Sequence, residues 1–233
     1  MTRAVAGILT AGSLVCLSAC GPTTMNGART ATGGKKSVHQ PTAAQRAVGI
    51  TQPWSDADVE FMTGMIPHHA QAVIMANWAP THGARADVGV LCARIAVGQT
   101  DEIAMMQQWL ADRSLPVPDA KNTRMRMKMN GVEHDMLMPG MLSDEEMAAL
   151  DKARGPEFDR LFLQGMIRHH QGAIDMVDVL FKAYGAAQDE TIFKFANDVF
   201  ADQSIEIDRM TKMLAERDSE ITSGVISREF GTK

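Results

Sequence analysis

Thiols, aromatic rings and excess positive charge are all scarce in this chain, and each shortage removes a class of function. Of 233 residues only Cys16, Cys20 and Cys92 are cysteines. Aromatic residues make up 5 % of the sequence, too few for the stacking platforms that single-stranded nucleic acids require. The formal net charge is −5, so no basic surface is available to track phosphates, and no nucleic-acid partner is expected. Paired carboxylates, a Ser/His/Asp order and Gly-rich phosphate loops do not occur in a convincing context, which leaves hydrolytic catalysis without support.

The N-terminal segment accounts for two of the cysteines. Arg3 serves as a positive n-region, Ala4 to Val15 is apolar, and small residues follow, the pattern of an export signal over residues 1–19. Leu17-Ser18-Ala19-Cys20 resembles a bacterial lipobox, which makes Cys20 an acylated mature N-terminus and the protein an extracytoplasmic lipoprotein anchored to the cell membrane. The apolar stretch is shorter than the roughly 20 residues of a spanning helix, so the expected attachment is by lipid. An ordinary secretory signal with a chance cysteine is the alternative. With Cys16 cleaved and Cys20 acylated, Cys92 is the last thiol, no internal disulfide can form, and its run Val90-Leu91-Cys92-Ala93 reads as buried apolar chain. Residues 20–54 are rich in Gly, Thr, Ala, Gln and Lys without apolar period. They are expected to be a flexible tether.

Beyond the tether the chain repeats itself. Phe61 to Ala76 reads FMTGMIPHHAQAVIMA and Phe162 to Val177 reads FLQGMIRHHQGAIDMV. Ser55 with Asp58 has capping-box spacing, and apolar residues at intervals of three and four predict a helix over about Asp56 to Trp78, with a kink expected at Pro67. A turn at Pro80 to Gly83 leads to a second helix over about Arg85 to Arg113, stopped by Pro116 and Pro118. The second copy follows the same plan, from Pro156 to before Gly185 and from about Asp189 to Arg217. Short turns imply antiparallel neighbours, so the expected fold is all-α: a four-helix bundle over 55–218 made of two duplicated hairpins, 55–113 and 156–217. A Met-rich insert spans 119–142, Ser143 with Glu146 predicts a short further helix, and 219–233 is a C-terminal tail.

Met65 and His69 share one helical stripe, and so do Met166 and His170. The neighbours His68 and His169 lie about 100° round the helix, on the flank, able to face a neighbouring helix or solvent. The second helix of each hairpin carries Gln-x-x-Glu on its apolar stripe, ending at Glu102 and Glu206. A buried carboxylate needs a partner, and the paired histidines are the natural ones. Hydrogen bonds alone satisfy this polarity without metal. The repetition of the arrangement, flanked by Met65 and Met75 in one copy and Met166 and Met176 in the other, points instead to a soft-metal site.

The insert RMRMKMNGVEHDMLMPGM adds Met125, Met127, Met129, His134, Met136, Met138 and Met141 on a spacing that fits no helical stripe. Thioethers and neutral imidazoles on flexible backbone suit Cu(I), and outside the cytoplasm a thioether cannot oxidise to a disulfide. The alternative is a loop that folds over the bundle and uses Met as filler.

The segments MIPHHAQAVIMA, MIRHHQGAIDMV, MPGMLSDEEMAAL and FDRLFLQGMI resemble the DUF305 family over about Asp56 to Arg217. The resemblance implies a ferritin-like bundle, extracytoplasmic copper binding or resistance, and no established activity for most members. It carries over Met65, His68, His69 and Met75, and Met166, His169, His170 and Met176, as ligands. The family often has Glu after the paired His, where Gln71 and Gln171 stand here, a change that favours soft binding. The expected function is non-enzymatic capture of copper, as Cu(I), for buffering, resistance or transfer, with a copper-delivering or copper-accepting protein as partner and the oligomeric state left open. Two other functions compete. One is a structural or protein-binding lipoprotein with a His/Glu core. The other is a di-iron oxidase, which needs Glu-x-x-His motifs that are absent, since Met105 and Arg209 follow Glu102 and Glu206 at the third position.

Overall fold

The structure, a computed structural model, describes residues 37–129 and 132–230, with side chains outside the description at 127–129 and 218–230. The signal segment 1–19, Cys20 and the first part of the tether therefore lie outside the described residues. Four long helices form the body: α2 (Asp56–Asn77), α3 (Ala86–Asp112), α5 (Pro156–Lys182) and α6 (Glu190–Phe230), with short α1 (Ala43–Ala47) and α4 (Asp144–Lys152). α2 packs on α3, α5 on α6, and α2 against α5, which joins the two hairpins. This is the all-α bundle expected from the periodicity. Among the described residues no helix is long and apolar enough to cross a membrane.

Local chemistry sets the helix starts. Ser55 Oγ accepts from the Asp58 amide while the Asp58 carboxylate accepts from the Ser55 amide, and Ser143 with Glu146 repeats the device at α4. α5 begins at Pro156 after Gly155, whose φ is +55°. α3 has no side-chain cap of its own. Its first orphan donor is served from the other hairpin, where the Asp159 carboxylate accepts from the Arg85 amide at 3.2 Å. The reciprocal tie is Asp58, which accepts from the Ala187 amide at 2.7 Å just ahead of α6. Each hairpin thus holds the entry of the other's second helix. α2 runs unbroken through the buried Pro67.

Three expectations change. Residues 37–54 of the expected tether are partly built into the domain. Strand β1 (Val38–His39) pairs antiparallel with β2 (Trp54–Ser55), Thr42 and Gln45 form a capping box on α1, and Ile50 and Trp54 are buried. The insert is a β-hairpin, β3 (Met125–Met129) with β4 (Val132–Met136), in the register Met125 to Met136, Met127 to His134 and Met129 to Val132. Methionines at alternate positions match the two-residue repeat of a strand. α6 continues through the expected tail to Phe230; residues 218–230 contain no proline to stop it.

A buried ion pair fixes the second hairpin: Arg217 Nη1 donates to Asp159 Oδ2 at 2.5 Å, with side chains 7 % and 2 % exposed. Since Asp159 also holds the start of α3, the pair couples both hairpins. Arg217→Ala strands a buried carboxylate, and an expected loss of about 3–5 kcal/mol is measurable by urea unfolding. A loss under about 1 kcal/mol, as for an exposed pair, would place it outside the coupling.

Candidate functional site: a thioether and imidazole core between α2 and α5

Gly64 and Gly165 occupy the same place in the two cassettes, one helical turn ahead of His68 and His169. Both are close-approach positions. A Cβ on Gly64 would lie 2.8 Å from Met138 Cε, 3.4 Å from Met125 Sδ and 3.4 Å from Met176 Cε, so three methionines from the segment after β4, from β3 and from α5 converge there as mutual neighbours. A Cβ on Gly165 would lie 3.5 Å from Met75 Cε and 3.1 Å from Leu142. Met75 and Met176 are equivalent residues, each reaching across to the glycine of the other helix, so α2 and α5 run antiparallel about a pseudo-two-fold axis. The symmetry ends at the insert, which supplies sulfur over Gly64 and leucine over Gly165.

On that axis His68 and His169 meet, their ring centroids 3.8 Å apart. All four paired histidines are fully buried; of the two surroundings open to the flanking His68 and His169, a neighbouring helix or solvent, the structure supplies the helix. The partner helix covers one side and residues 139–142 the other. Burial, reinforced by His69, pushes His68 down to about 3, and burial with the facing His68 holds His169 well below the ordinary imidazole value. Both rings are neutral at neutral pH, each with one N–H and one lone pair. His68 Nε2 lies 3.0 Å from the Pro139 carbonyl, which can only accept, so Nε2 carries the proton and the Nδ1 lone pair has no partner. Neither ring nitrogen of His169 has one.

The outer histidines meet the carboxylates as expected. His170 Nε2 bonds Glu206 Oε2 at 2.7 Å. His69 Nε2 lies 2.8 Å from Glu102 Oε2 in an alignment too poor for a hydrogen bond, and it counts among the buried nitrogens without a bonded partner. Both Nδ1 atoms are also unpartnered. Buried polar atoms are nearly always satisfied, so a run of unpartnered imidazole nitrogens along two helices is a departure that calls for a physical reason. Among the described residues no three His, Cys, Asp or Glu side chains converge to hold an ion alone. The soft donors nearest these rings are methionine sulfurs, and a set of thioether and imidazole suits a soft cation better than a hard one. Burial pushes the Cys92 thiol up to about 12, so thiolate is not on offer.

Of the expected ligands, Met65, Met75 and Met166 are fully buried, and Met125, Met141 and Met176 are nearly so. Met138 is half-buried, and its amide donates to Met141 Sδ at 3.2 Å. His134 and Met136 are exposed on β4 and are not brought to the core; Met127 and Met129 lie outside the described side chains. Met138 and Met176 also line a cavity of about 210 Å³ with Phe61 and Pro139, which opens the sulfur cluster to solvent.

The sequence reading missed the parts that seat the insert. Gln71 is not merely a lost acidic ligand: its amide donates to the Leu142 carbonyl at 2.9 Å and accepts from the Leu142 amide at 2.8 Å. Gln171 is exposed and bonds Asp175 instead. The residue equivalent to Gln71 in the second cassette is Gly172, where a Cβ would sit 2.0 Å from the Pro139 carbonyl oxygen. Residues 139–142 are thus held at one end by α5 backbone and at the other by the Gln71 amide. Only a glycine two residues after the paired His hinted at this close approach.

A model of a domain of unknown function, DUF305, matches residues 58–214. The chain belongs to the DUF305 family. Its fold is shared by a putative secreted DUF305 protein of Streptomyces coelicolor, with 30 % identity, TM-score 0.59, and coverage of 70 % of this chain and 94 % of that one. A DUF305 fragment from Deinococcus radiodurans matches at 25 % identity and TM-score 0.56, covering 69 % and 97 %. CopM in its Cu(I)-bound form matches at 27 % identity and TM-score 0.52, covering 68 % and 96 %; that protein has also been solved in Cu(II)-bound and Ag-bound forms. No curated protein matches the sequence.

Two outcomes test this DUF305 core. Between the unfolded imidazole value of 6.5 and the folded value of about 3 for His68, the unfolded chain binds protons that the native chain refuses, and His169 acts in the same sense. Stability is complete above the unfolded value and falls as pH drops below it, by about 1.4 kcal/mol per pH unit for each ring. Urea midpoints of metal-free protein from neutral pH to mild acid check this, and a pH-independent midpoint contradicts it. Gly172→Ala is expected to lift residues 139–142 and speed their amide exchange by about tenfold or more. Unchanged exchange would show that the seat has room to spare.

Proposed function

We propose that this protein is a non-catalytic, extracytoplasmic copper binder that holds Cu(I) between α2 and α5 for buffering, resistance or transfer. The observation that carries the reading is the convergence of Met125, Met138 and Met176 over Gly64, one turn from the neutral His68 and His169 pair with its unpartnered nitrogens. Thioether and imidazole bind without losing a proton, so the site functions where thiolates oxidise. Likeness to a protein solved with Cu(I), Cu(II) and Ag supports the same class of ion. The lipobox at Cys20 supports attachment to the outer face of the cell membrane, and the open cavity at Met138 and Met176 supports exchange with a partner.

A second reading has an observation of its own. The His170–Glu206 bond satisfies part of the buried polarity without an ion, as a structural or protein-binding lipoprotein would require. The di-iron alternative is short of carboxylates, since among the described residues Glu102 and Glu206 are the ones that meet the core histidines.

An anaerobic Cu(I) competition against a chromophoric chelator separates these. His68→Leu/His169→Leu exchanges unsatisfied rings for apolar groups of similar volume, so its stability is expected to equal or exceed that of wild type. Its Cu(I) affinity is expected to fall at least about tenfold, a difference of about 1.4 kcal/mol. Met138→Leu/Met176→Leu should weaken binding in the same direction. Wild-type capacity no higher than background, or full affinity in both variants, supports the structural reading instead.

A further inference from the structure

The imidazole core has a second face. α3 and α6 diverge around a cavity of about 450 Å³ lined by Asp101, Glu102, Met105, Glu190, Lys194, Phe195 and Asp198 among others. Four carboxylates stand against one ammonium, and that ammonium is engaged by Asp198 at 2.5 Å. Two of the lining residues are the wall between this cavity and the core. Glu102, 29 % exposed, presents Oε2 to His69 Nε2 at 2.8 Å. Phe195 lies edge-on to the same ring at a centroid distance of 6.3 Å. His69 itself is fully buried, and its Nε2 has no aligned hydrogen-bond partner.

We infer that the cleft between α3 and α6 is a cation vestibule, an entry by which a hydrated soft monovalent ion reaches the imidazole core through the Glu102–His69 contact. The inference rests on the copper-binding reading and adds a route to it. Charges of one sign lining a concave, low-dielectric cleft concentrate counter-ions and raise association rates by about 10 to 10³-fold. The core needs such help because its central rings are neutral and buried. Met105 on the wall offers a soft donor at the point where water is shed, and Glu102, among the described residues, is the carboxylate shared by cavity and core. The thioether cavity shares no lining residue with this one and carries Glu60 and Asp175, so the two openings make distinguishable demands.

The test is a rapid-mixing measurement with Ag(I) nitrate in nitrate medium, quenched on chelating resin, with protein-bound silver read by mass spectrometry. The phase that belongs to the core is the one lost in His68→Leu/His169→Leu. Asp101→Asn/Glu190→Gln is expected to slow that phase about tenfold at low ionic strength and little at 1 M salt, where screening acts within about 3 Å. Lys194→Gln is expected to accelerate it. Glu60→Gln/Asp175→Asn, which neutralises the other opening, is expected to leave it within about twofold of wild type. Equal rates in wild type and Asp101→Asn/Glu190→Gln, or slowing only in Glu60→Gln/Asp175→Asn, overturns the vestibule while leaving metal binding intact. No silver on wild type at all overturns the copper-binding reading and the vestibule with it.

Discussion

Two uncharged imidazoles pressed together where α2 crosses α5 set the terms for the rest of the molecule. A centroid separation of 3.8 Å leaves no room for two imidazolium ions, and burial already denies each ring its proton. The surrounding structure has to keep these rings dry, fix their tautomers and accept lone pairs that face no donor. The Pro139 carbonyl fixes one tautomer. Gly172 and Gln71 fix that carbonyl in turn, one by leaving space and the other by a two-way amide bond. The crossed ties from Asp58 and Asp159 to the opposite hairpins hold the helices at the separation that all of this requires.

The pseudo-two-fold axis explains the duplicated sequence, and its violation explains the chemistry. Two equal halves would make two equal faces. The inserted hairpin lies over one of them, so Met125 and Met138 join Met176 beside Gly64, while Leu142 fills the matching place beside Gly165. One face gains polarisable sulfur and the other closes as ordinary apolar core. Outside the pair, Glu206 bonds His170 and Glu102 stands beside His69, so each helix carries a histidine facing its twin and, one residue on, a histidine facing a carboxylate.

Much of this was legible in the chain. The capping boxes at Ser55 and Ser143, the 3.6-residue period and the repeated cassette placed the helices, and the Gln-x-x-Glu stripes pointed Glu102 and Glu206 at the paired histidines, of which His69 and His170 are the ones they meet. The rest failed for identifiable reasons. Thr42 and Gln45 form the same box as Ser55 and Asp58, but no apolar period follows, and the segment is held by long-range ties, among them Trp54 under the Arg113 guanidinium 5.3 Å from its ring and the β1–β2 pairing. Met125, Met127 and Met129 alternate with the period of a strand, a pattern invisible to a search for helical stripes. His68 and His169 sit one residue off the core stripe, and what buries them arrives from 70 and 100 residues away. Local periodicity cannot report a cover supplied by another part of the chain.

The central claim is that methionine sulfur and histidine nitrogen together surround one kind of soft ion. X-ray absorption at the copper edge on protein loaded anaerobically with Cu(I) addresses it most directly. The account expects a mixed first shell of sulfur and imidazole nitrogen that loses its nitrogen component in His68→Leu/His169→Leu and its sulfur component in Met138→Leu/Met176→Leu. A shell of oxygen and nitrogen alone, or a spectrum identical in all three proteins, would contradict it.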